Sequence, residues 1–199
     1  MFLYLSAIWC IIYIRTHNYR ILEIDIERKQ IEDSKTDPKC FEPIYTKYYE
    51  FILKFVYKRI EDLDDSREVT SIVFAKACIN ISKYKYQGFP ISSWLYRIAI
   101  NEINLFYRHS KKTRVISLND KSVKNIANES RKINPDHITA LKKALLYLTE
   151  KELMLIELRY FEEKPFSEVG HILEISENNA KVKTYRVIDK LKEIYTKIT

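Results

Sequence analysis

Residues Phe166 to Arg186 read FSEVGHILEISENNAKVKTYR, and the spacing in this stretch decides the architecture of the C-terminal part of the chain. Val169, Ile172 and Leu173 make one short apolar face, Ile175 and Ser176 form a break, and Ala180, Thr184, Val187 and Leu191 line a second face. Two short helices joined by a tight turn, the second rich in Lys, Arg and Asn, is the pattern of a DNA-reading helix-turn-helix. Ser176 is placed to cap the second helix, because its hydroxyl can accept an otherwise orphan backbone N–H. Gly170 sits where two steeply crossing helices must approach closely. From Lys181 to Lys197 six Lys/Arg stand against Asp189 and Glu193, so this helix is basic. Taken alone, the segment also fits a packed helical hairpin with solvated lysines.

Upstream, Thr149-Glu150-Lys151-Glu152 has the form of a capping box, with Leu153, Ile156 and Tyr160 opening the helix behind it. Ile138, Leu141, Leu145 and Leu148 mark a further helix, and Pro165 opens the first helix of the helix-turn-helix, where a missing N–H does no harm. Four helices over residues 138–199 can form a small, winged-helix-like four-helix domain. Before it, Arg108 to Lys132 holds eight basic residues against Asp120 and Glu129, with scattered Ser and Asn and weak periodicity. That composition predicts a basic flexible linker over 113–137, able to follow a phosphate backbone or an RNA-lined channel.

A second helical block occupies 38–112. Ile44, Tyr48, Ile52, Phe55 and Val56 recur at helical spacing, and a charged turn follows at Glu61 to Asp65. Ser66 is placed to cap the next helix, in which Val69, Ile72, Val73 and Ala77 face one way. Tyr84-Lys85-Tyr86-Gln87-Gly88-Phe89-Pro90 cannot continue it, since Gly and Pro both interrupt helices. A third helix is expected from Ser92 or Ser93, apolar along Trp94, Leu95, Ile98, Ile103 and Phe106. Its other face carries Arg97, Asn101, Asn104 and Arg108.

Composition agrees with an all-α chain of two small domains. Two glycines and five prolines among 199 residues are too few for a turn-rich β protein, and 46% apolar residues suffice for real cores. A formal charge of +7 suits a polyanionic partner. Cys10, Cys40 and Cys78 are dispersed, which fits neither a disulfide framework nor a zinc site and suits a reducing cytoplasm. Phe2 to Ile14 is apolar but too short to span a bilayer, which takes about 20 residues. It reads as part of an uncertain N-terminal extension over 1–37, with a peripheral membrane-binding segment or a partner-binding helix as its functional alternatives.

In their order along the chain these segments resemble a bacterial RNA polymerase sigma factor of the sigma-70 family, extracytoplasmic-function (ECF) type. DSREVTSIVFAKA (Asp65 to Ala77) is similar to the family's acidic-polar helix ending in Val-Phe. FPISSWLYRIAINEINLFYRHSKK (Phe89 to Lys112) is similar to its Trp-Leu-aromatic-basic helix, and RVISLND (Arg114 to Asp120) to the segment after it. LTEKELMLIELRYFEEKPFSEVGHILEISENNAKVKTYRVIDKL (Leu148 to Leu191) resembles its promoter-binding C-terminal domain throughout. Any one match is weak; the ordered pair of blocks is specific.

The resemblance implies a non-catalytic protein that binds core RNA polymerase, at the clamp and flap of its large subunits, and double- and single-stranded promoter DNA. It implies residues 38–112 as region 2 and 138–199 as region 4, with no cofactor, metal or small-molecule substrate, and leaves room for an anti-sigma partner. Glu68, Ser71 and Phe74 fall on the polymerase-docking helix. Tyr84, Tyr86 and Phe89 fall where a flipped base of the −10 element is held, and Trp94, Arg97, Asn101 and Arg108 on the helix meeting −10 DNA. Base stacking on such aromatics is worth about 1–3 kcal/mol. Glu177, Asn178, Asn179, Lys181 and Lys183 fall on the early recognition helix for the −35 element, and Arg186 and Lys190 farther along, as phosphate contacts. Three residues depart from the family pattern: Ser71 where Gln is usual, Glu174 in the turn where Gly is usual, and Gly170 where Ala is usual.

An enzyme reading finds no support in the motifs. There is no Gly-rich phosphate loop, no HExxH pair and no nucleophile elbow, and His17, His109, His137 and His171 are dispersed. The acidic run Glu61 to Asp65 lacks the alternating ligands and central Gly of a calcium loop. The remaining alternatives are a helix-turn-helix regulator that acts without core polymerase and a degenerate sigma-like interaction module.

Overall fold

The computed structural model describes residues 24–110, 140–141 and 143–198. The apolar run Phe2 to Ile14, the RVISLND segment and the linker 113–137 lie outside the described residues. Every regular element among the described residues is helical. Helix α1 (24–36) leads through a 3-10 turn at Pro38–Phe41 into α2 (Glu42–Ile60), α3 (Leu63–Asn80) and α4 (Ile91–Ser110). The C-terminal half holds helical residues at 140–141 and 143–145, then α5 (Glu150–Ile156), which runs into a π-helical turn at Glu157–Phe161, α6 (Phe166–Ile172) and α7 (Glu177–Ile198).

The first domain is built on α2, whose Ile44, Tyr48, Ile52, Phe55 and Val56 are all buried as their spacing predicts. The helix stops because Glu61 enters the left-handed region at φ 56°, where its N–H still reaches the Tyr57 carbonyl. Asp62 then caps α3, its carboxylate accepting from the Asp65 N–H. Ser66, expected to be that cap, lies one turn inside the helix instead. It is buried and bonds back to the Asp62 carbonyl, so the acidic residue in extended backbone takes the capping role. The buried face of α3 is Val69, Thr70, Val73, Phe74 and Ala77, while Ile72, expected on that face, is on the exposed side.

Helix α4 begins at Ile91, immediately after Pro90, rather than at Ser92 or Ser93. Both serines are buried in its first turn. The cap comes from far away in sequence: Glu27 Oε1 on α1 accepts the Ile91 N–H at 2.8 Å. Thus α1, which the sequence places in the uncertain extension, is packed on the first domain, with Ile31 and Ser34 each 1% exposed. Its face is narrow and half polar, which is why periodicity did not reveal it.

In the second domain the Thr149 capping box forms as expected, with both reciprocal bonds present. Burial pushes the Glu152 carboxyl up, but bonds from Lys190 and Thr149 outweigh it and hold the group below its usual range. The apolar faces of α6 and α7 close on each other through Val169, Ile172, Ala180, Thr184 and Val187. The buried residues of both domains form one continuous cluster, and α4 packs directly on α6.

Candidate nucleic-acid interface

The turn between α6 and α7 orients the basic helix α7. Ile175 N–H donates to the Gly170 carbonyl at 2.9 Å and Leu173 N–H to the Val169 carbonyl at 3.0 Å, with Glu174 between them at φ 56°. This is a Schellman-type ending in which a glutamate occupies the left-handed position usually given to glycine. Ser176 Oγ then accepts the Asn179 N–H at 3.2 Å, the cap its position predicts. The result places Glu177, Asn178, Asn179, Lys181, Lys183 and Arg186 on the exposed side of α7, while Ala180, Thr184 and Val187 anchor the other. Lys190 does not share that freedom, because its ammonium is held by Glu152 at 2.8 Å.

The first domain presents its polar residues on the loop 84–90 and on α4. Tyr84 is buried and packs on Trp94, with ring centroids 4.9 Å apart. Burial, with the Glu27 carboxylate adding to it, pushes its phenol up to about 12. Tyr86 and Phe89 are half-buried, and Gly88 gives the loop its reversal at φ 84°. Asn101 and Arg108 are exposed on α4, and Arg97 is one-third exposed. Below Trp94 lies a pocket of about 350 Å³ lined by Asn80, Tyr84, Asn101 and the Lys76–Glu102 ion pair. On α3, Glu68 and Ser71 are exposed, whereas Phe74 is buried beneath Tyr45 and Tyr49, with centroids 5.0 and 5.9 Å away. Phe74 therefore supports that face from inside.

The two sets of residues meet across the domain contact. Arg97 pairs with Glu174 in the helix-turn-helix turn at 3.1 Å, and Phe89 stacks on His171 of α6 with centroids 4.4 Å apart. Burial, and next the positive Arg97, hold the His171 imidazole below its ordinary pKa, so at neutral pH it meets Phe89 as an uncharged ring. Behind these contacts, Arg59 on α2 forms a buried ion pair with Glu157, and Lys58 and the Tyr96 hydroxyl both bond Glu162, at 2.7 and 2.8 Å. In an α-helix residues five apart point about 140° away from each other. The π-helical turn, closed by the Glu162 N–H on the Glu157 carbonyl, brings both carboxylates to the same domain face. Ser93 and Lys164 hold Glu168 at 2.8 and 2.7 Å. A cleft of about 510 Å³ remains between the domains, with Arg97, Asn101, Asn104 and Lys183 on its walls.

Sequence reading missed Glu27, Arg59, Glu157, Glu162 and Glu168, since isolated charges in helical stripes look solvated until their long-range partners are known.

Comparison with known proteins agrees with this organisation. The family model for Sigma-70 region 2 matches residues 44–113, and that for Sigma-70, region 4 matches residues 144–193. RNA polymerase sigma factor YlaC of Bacillus subtilis is 26% identical over 163 residues, covering 78% of this chain and 92% of that protein. ECF RNA polymerase sigma factor SigM of the same organism is 25% identical, covering 77% of this chain and 94% of that protein. The chain belongs to the sigma-70 family, in its ECF branch. The ECF sigma factor also shares its fold with CnrH, solved in complex with the cytosolic domain of CnrY: the TM-score is 0.58 at 15% identity, over 84% of this chain and 96% of that one.

Sigma factors are initiation factors rather than enzymes. Among the described residues no group of three or more His, Cys, Asp or Glu could hold a metal ion, and no helix is long and apolar enough to cross a membrane. Of the three departures from the family pattern, Ser71 is exposed and its hydroxyl turns back to the Arg67 carbonyl. Glu174 and Gly170 both belong to one turn, and their consequences are linked.

Proposed function

We propose that this sigma factor binds core RNA polymerase through the exposed Glu68–Ser71 face of α3. In this reading α7 recognises the −35 element, and the loop 84–90 with α4 recognises and opens the −10 element. The carrying observation is the division of α7 into an anchored face and an exposed, mainly polar one from Glu177 through Arg186, in which Val182 and Tyr185 are the apolar members. Asn178 and Asn179 can bond adenine edges, and Lys181 and Lys183 guanine or phosphate. Arg186 contributes phosphate binding, and Lys190 acts mainly by steadying the helix through Glu152. At the −10 element, Arg97, Asn101 and Arg108 meet the strand, and Tyr86 and Phe89 stack on exposed bases over a floor of Tyr84 and Trp94.

Because Arg97 and Phe89 are engaged by Glu174 and His171, reading −10 DNA requires those contacts to exchange for nucleic acid. Glu174 occupies the guanidinium as a phosphate would, and the His171 ring covers Phe89 as a base would. The chain acts in the cytoplasm, and an anti-sigma protein is included among its partners; the CnrH–CnrY complex supports that inclusion.

Transcription by core enzyme from a promoter of this class, with and without the chain, tests the reading. Stimulation is expected; absence of both stimulation and core binding would overturn it. DNA binding without any dependence on core would instead favour a plain regulator. Lys181→Ala is expected to weaken −35 duplex binding by about 1–2 kcal/mol and leave core affinity unchanged. Filter binding on duplex DNA and core titration separate the two, and an equal loss in both would contradict the division of labour between domains.

A further inference from the structure

Besides the Phe89–His171 stack on α6, the loop that is read above as the strand-opening element is held at three places, and two of these holds come from α1. At its entry Tyr84 is buried against Trp94. In its middle the Arg28 guanidinium lies 4.8 Å from the centroid of the Tyr86 ring. At its exit Glu27 Oε1 accepts the Ile91 N–H, the first donor of α4, at 2.8 Å. The other Glu27 oxygen is held in turn by Tyr48 Oη and by Lys47 Nζ, the latter at 3.1 Å. Glu27 is 7% exposed, so its charge acts where water screens little, while Arg28 is an exposed residue.

The physical need for these holds is clear. Gly88 makes the reversal possible at φ 84°, and nothing stands within 4 Å of where a side chain would be, so the reversing residue itself adds no packing to hold the loop. A loop of that kind has many conformations, and capturing an unstacked base then costs the ordering of every aromatic side chain it uses. A carboxylate at the start of a 20-residue helix satisfies an orphan N–H and opposes the positive end of the helix dipole. A guanidinium over an aromatic ring restricts that ring without burying it. Together they hold Tyr86 and the start of α4 in place before DNA arrives, and so fix the segment on which Phe89 sits.

We propose that Glu27 and Arg28 are positioning residues for promoter opening: α1 preorganises the loop 84–90 so that its aromatics capture an unpaired −10 base. This rests on the reading of Tyr86 and Phe89 as base contacts. Neither α1 residue needs to touch DNA. Their removal affects single-strand capture selectively, since α7 and the exposed face of α3 are held by other contacts.

The test uses the full chain assembled with core polymerase. Three affinities are measured: for core, for a −35 duplex, and for a single-stranded oligonucleotide carrying the non-template −10 sequence. Permanganate reactivity of −10 thymines on a complete promoter is the fourth readout. Glu27→Gln is expected to lower single-strand affinity about tenfold and to reduce permanganate reactivity, with core and −35 affinities unchanged. Arg28→Ala, an exposed change that leaves the core intact, is expected to act in the same direction, and Arg28→Lys to restore part of the loss. Wild-type single-strand affinity in both Glu27→Gln and Arg28→Ala overturns the proposal, as does an equal fall in all three affinities, which would mark a role in folding alone. If the wild-type holoenzyme itself captures no −10 strand, the reading of the loop fails, and this inference with it.

Discussion

Glu157→Ala will destabilise the chain by about 3–5 kcal/mol and loosen the contact between its domains. Arg59 and Glu157 are 8% and 5% exposed and stand 98 residues apart in the chain, one in each domain. Deleting the carboxylate keeps a guanidinium in a low-dielectric site, over the Phe55 ring at 4.1 Å and beside the Met154 sulfur at 3.0 Å. Neither of these two contacts supplies a negative charge. The penalty is that of a buried charge robbed of its counter-ion, which differs from the net worth of the pair. The double replacement Arg59→Met with Glu157→Leu should therefore recover most of the loss, because both charges leave together and apolar volume remains. Urea denaturation of the three proteins, with tryptophan emission and helicity followed together, measures this. The single variant is expected to show two separable transitions where the wild type shows one. A loss below about 1 kcal/mol for Glu157→Ala would mean that the pair is solvated and the domains do not dock in solution.

That pair also marks where sequence reading stops. The Thr149 capping box, the Ser176 cap and the buried stripe of α2 were all visible in the sequence, since each depends on residues three or four apart. The family resemblance was visible for the same reason: two ordered blocks of local pattern. The hidden features are long-range. Glu27 reaches Ile91 across 64 residues, and Glu168 meets Ser93 across 75. No local pattern marks a carboxylate for such a partner. The π-helical turn was hidden as well, because its cause is the demand that Glu157 and Glu162 face one domain together. Asp62 displaced Ser66 as the α3 cap because the left-handed Glu61 set the backbone of the turn four residues earlier than the serine. Tyr84 and Phe74, placed in the binding surface by resemblance, turned out to be buried. An aromatic, whether in a helical stripe like Phe74 or in a loop like Tyr84, carries no sign of which side of the protein surface it occupies.

Gly170→Ala will destabilise the second domain by about 1–3 kcal/mol, against the sign that helix propensity predicts. In an open helix the same change gains about 1 kcal/mol. Here a Cβ would stand 2.7 Å from the Ile175 carbonyl oxygen, 3.1 Å from the Glu177 nitrogen and 3.2 Å from the Ser176 carbonyl carbon. All three are backbone atoms of the turn, so no flexible side-chain end can yield; the turn itself must move. It is already constrained, because Glu174 holds φ 56° while the Gly170 carbonyl accepts from Ile175. Glu174→Gly alone should gain up to about 1 kcal/mol by relieving that residue, since its exposed link to Arg97 contributes little. The two changes should couple: with glycine at 174 the turn has room to shift, and Gly170→Ala then costs less than it does alone. A double-mutant cycle by urea denaturation gives the coupling energy. Duplex binding gives its functional counterpart, because the same turn aims α7, and Gly170→Ala should weaken −35 affinity while core affinity holds. A neutral or stabilising Gly170→Ala would show that the turn stands farther from α6 than these distances place it. The absence of alanine at 170 and of glycine at 174 would then be two independent departures instead of one turn with a shared cause.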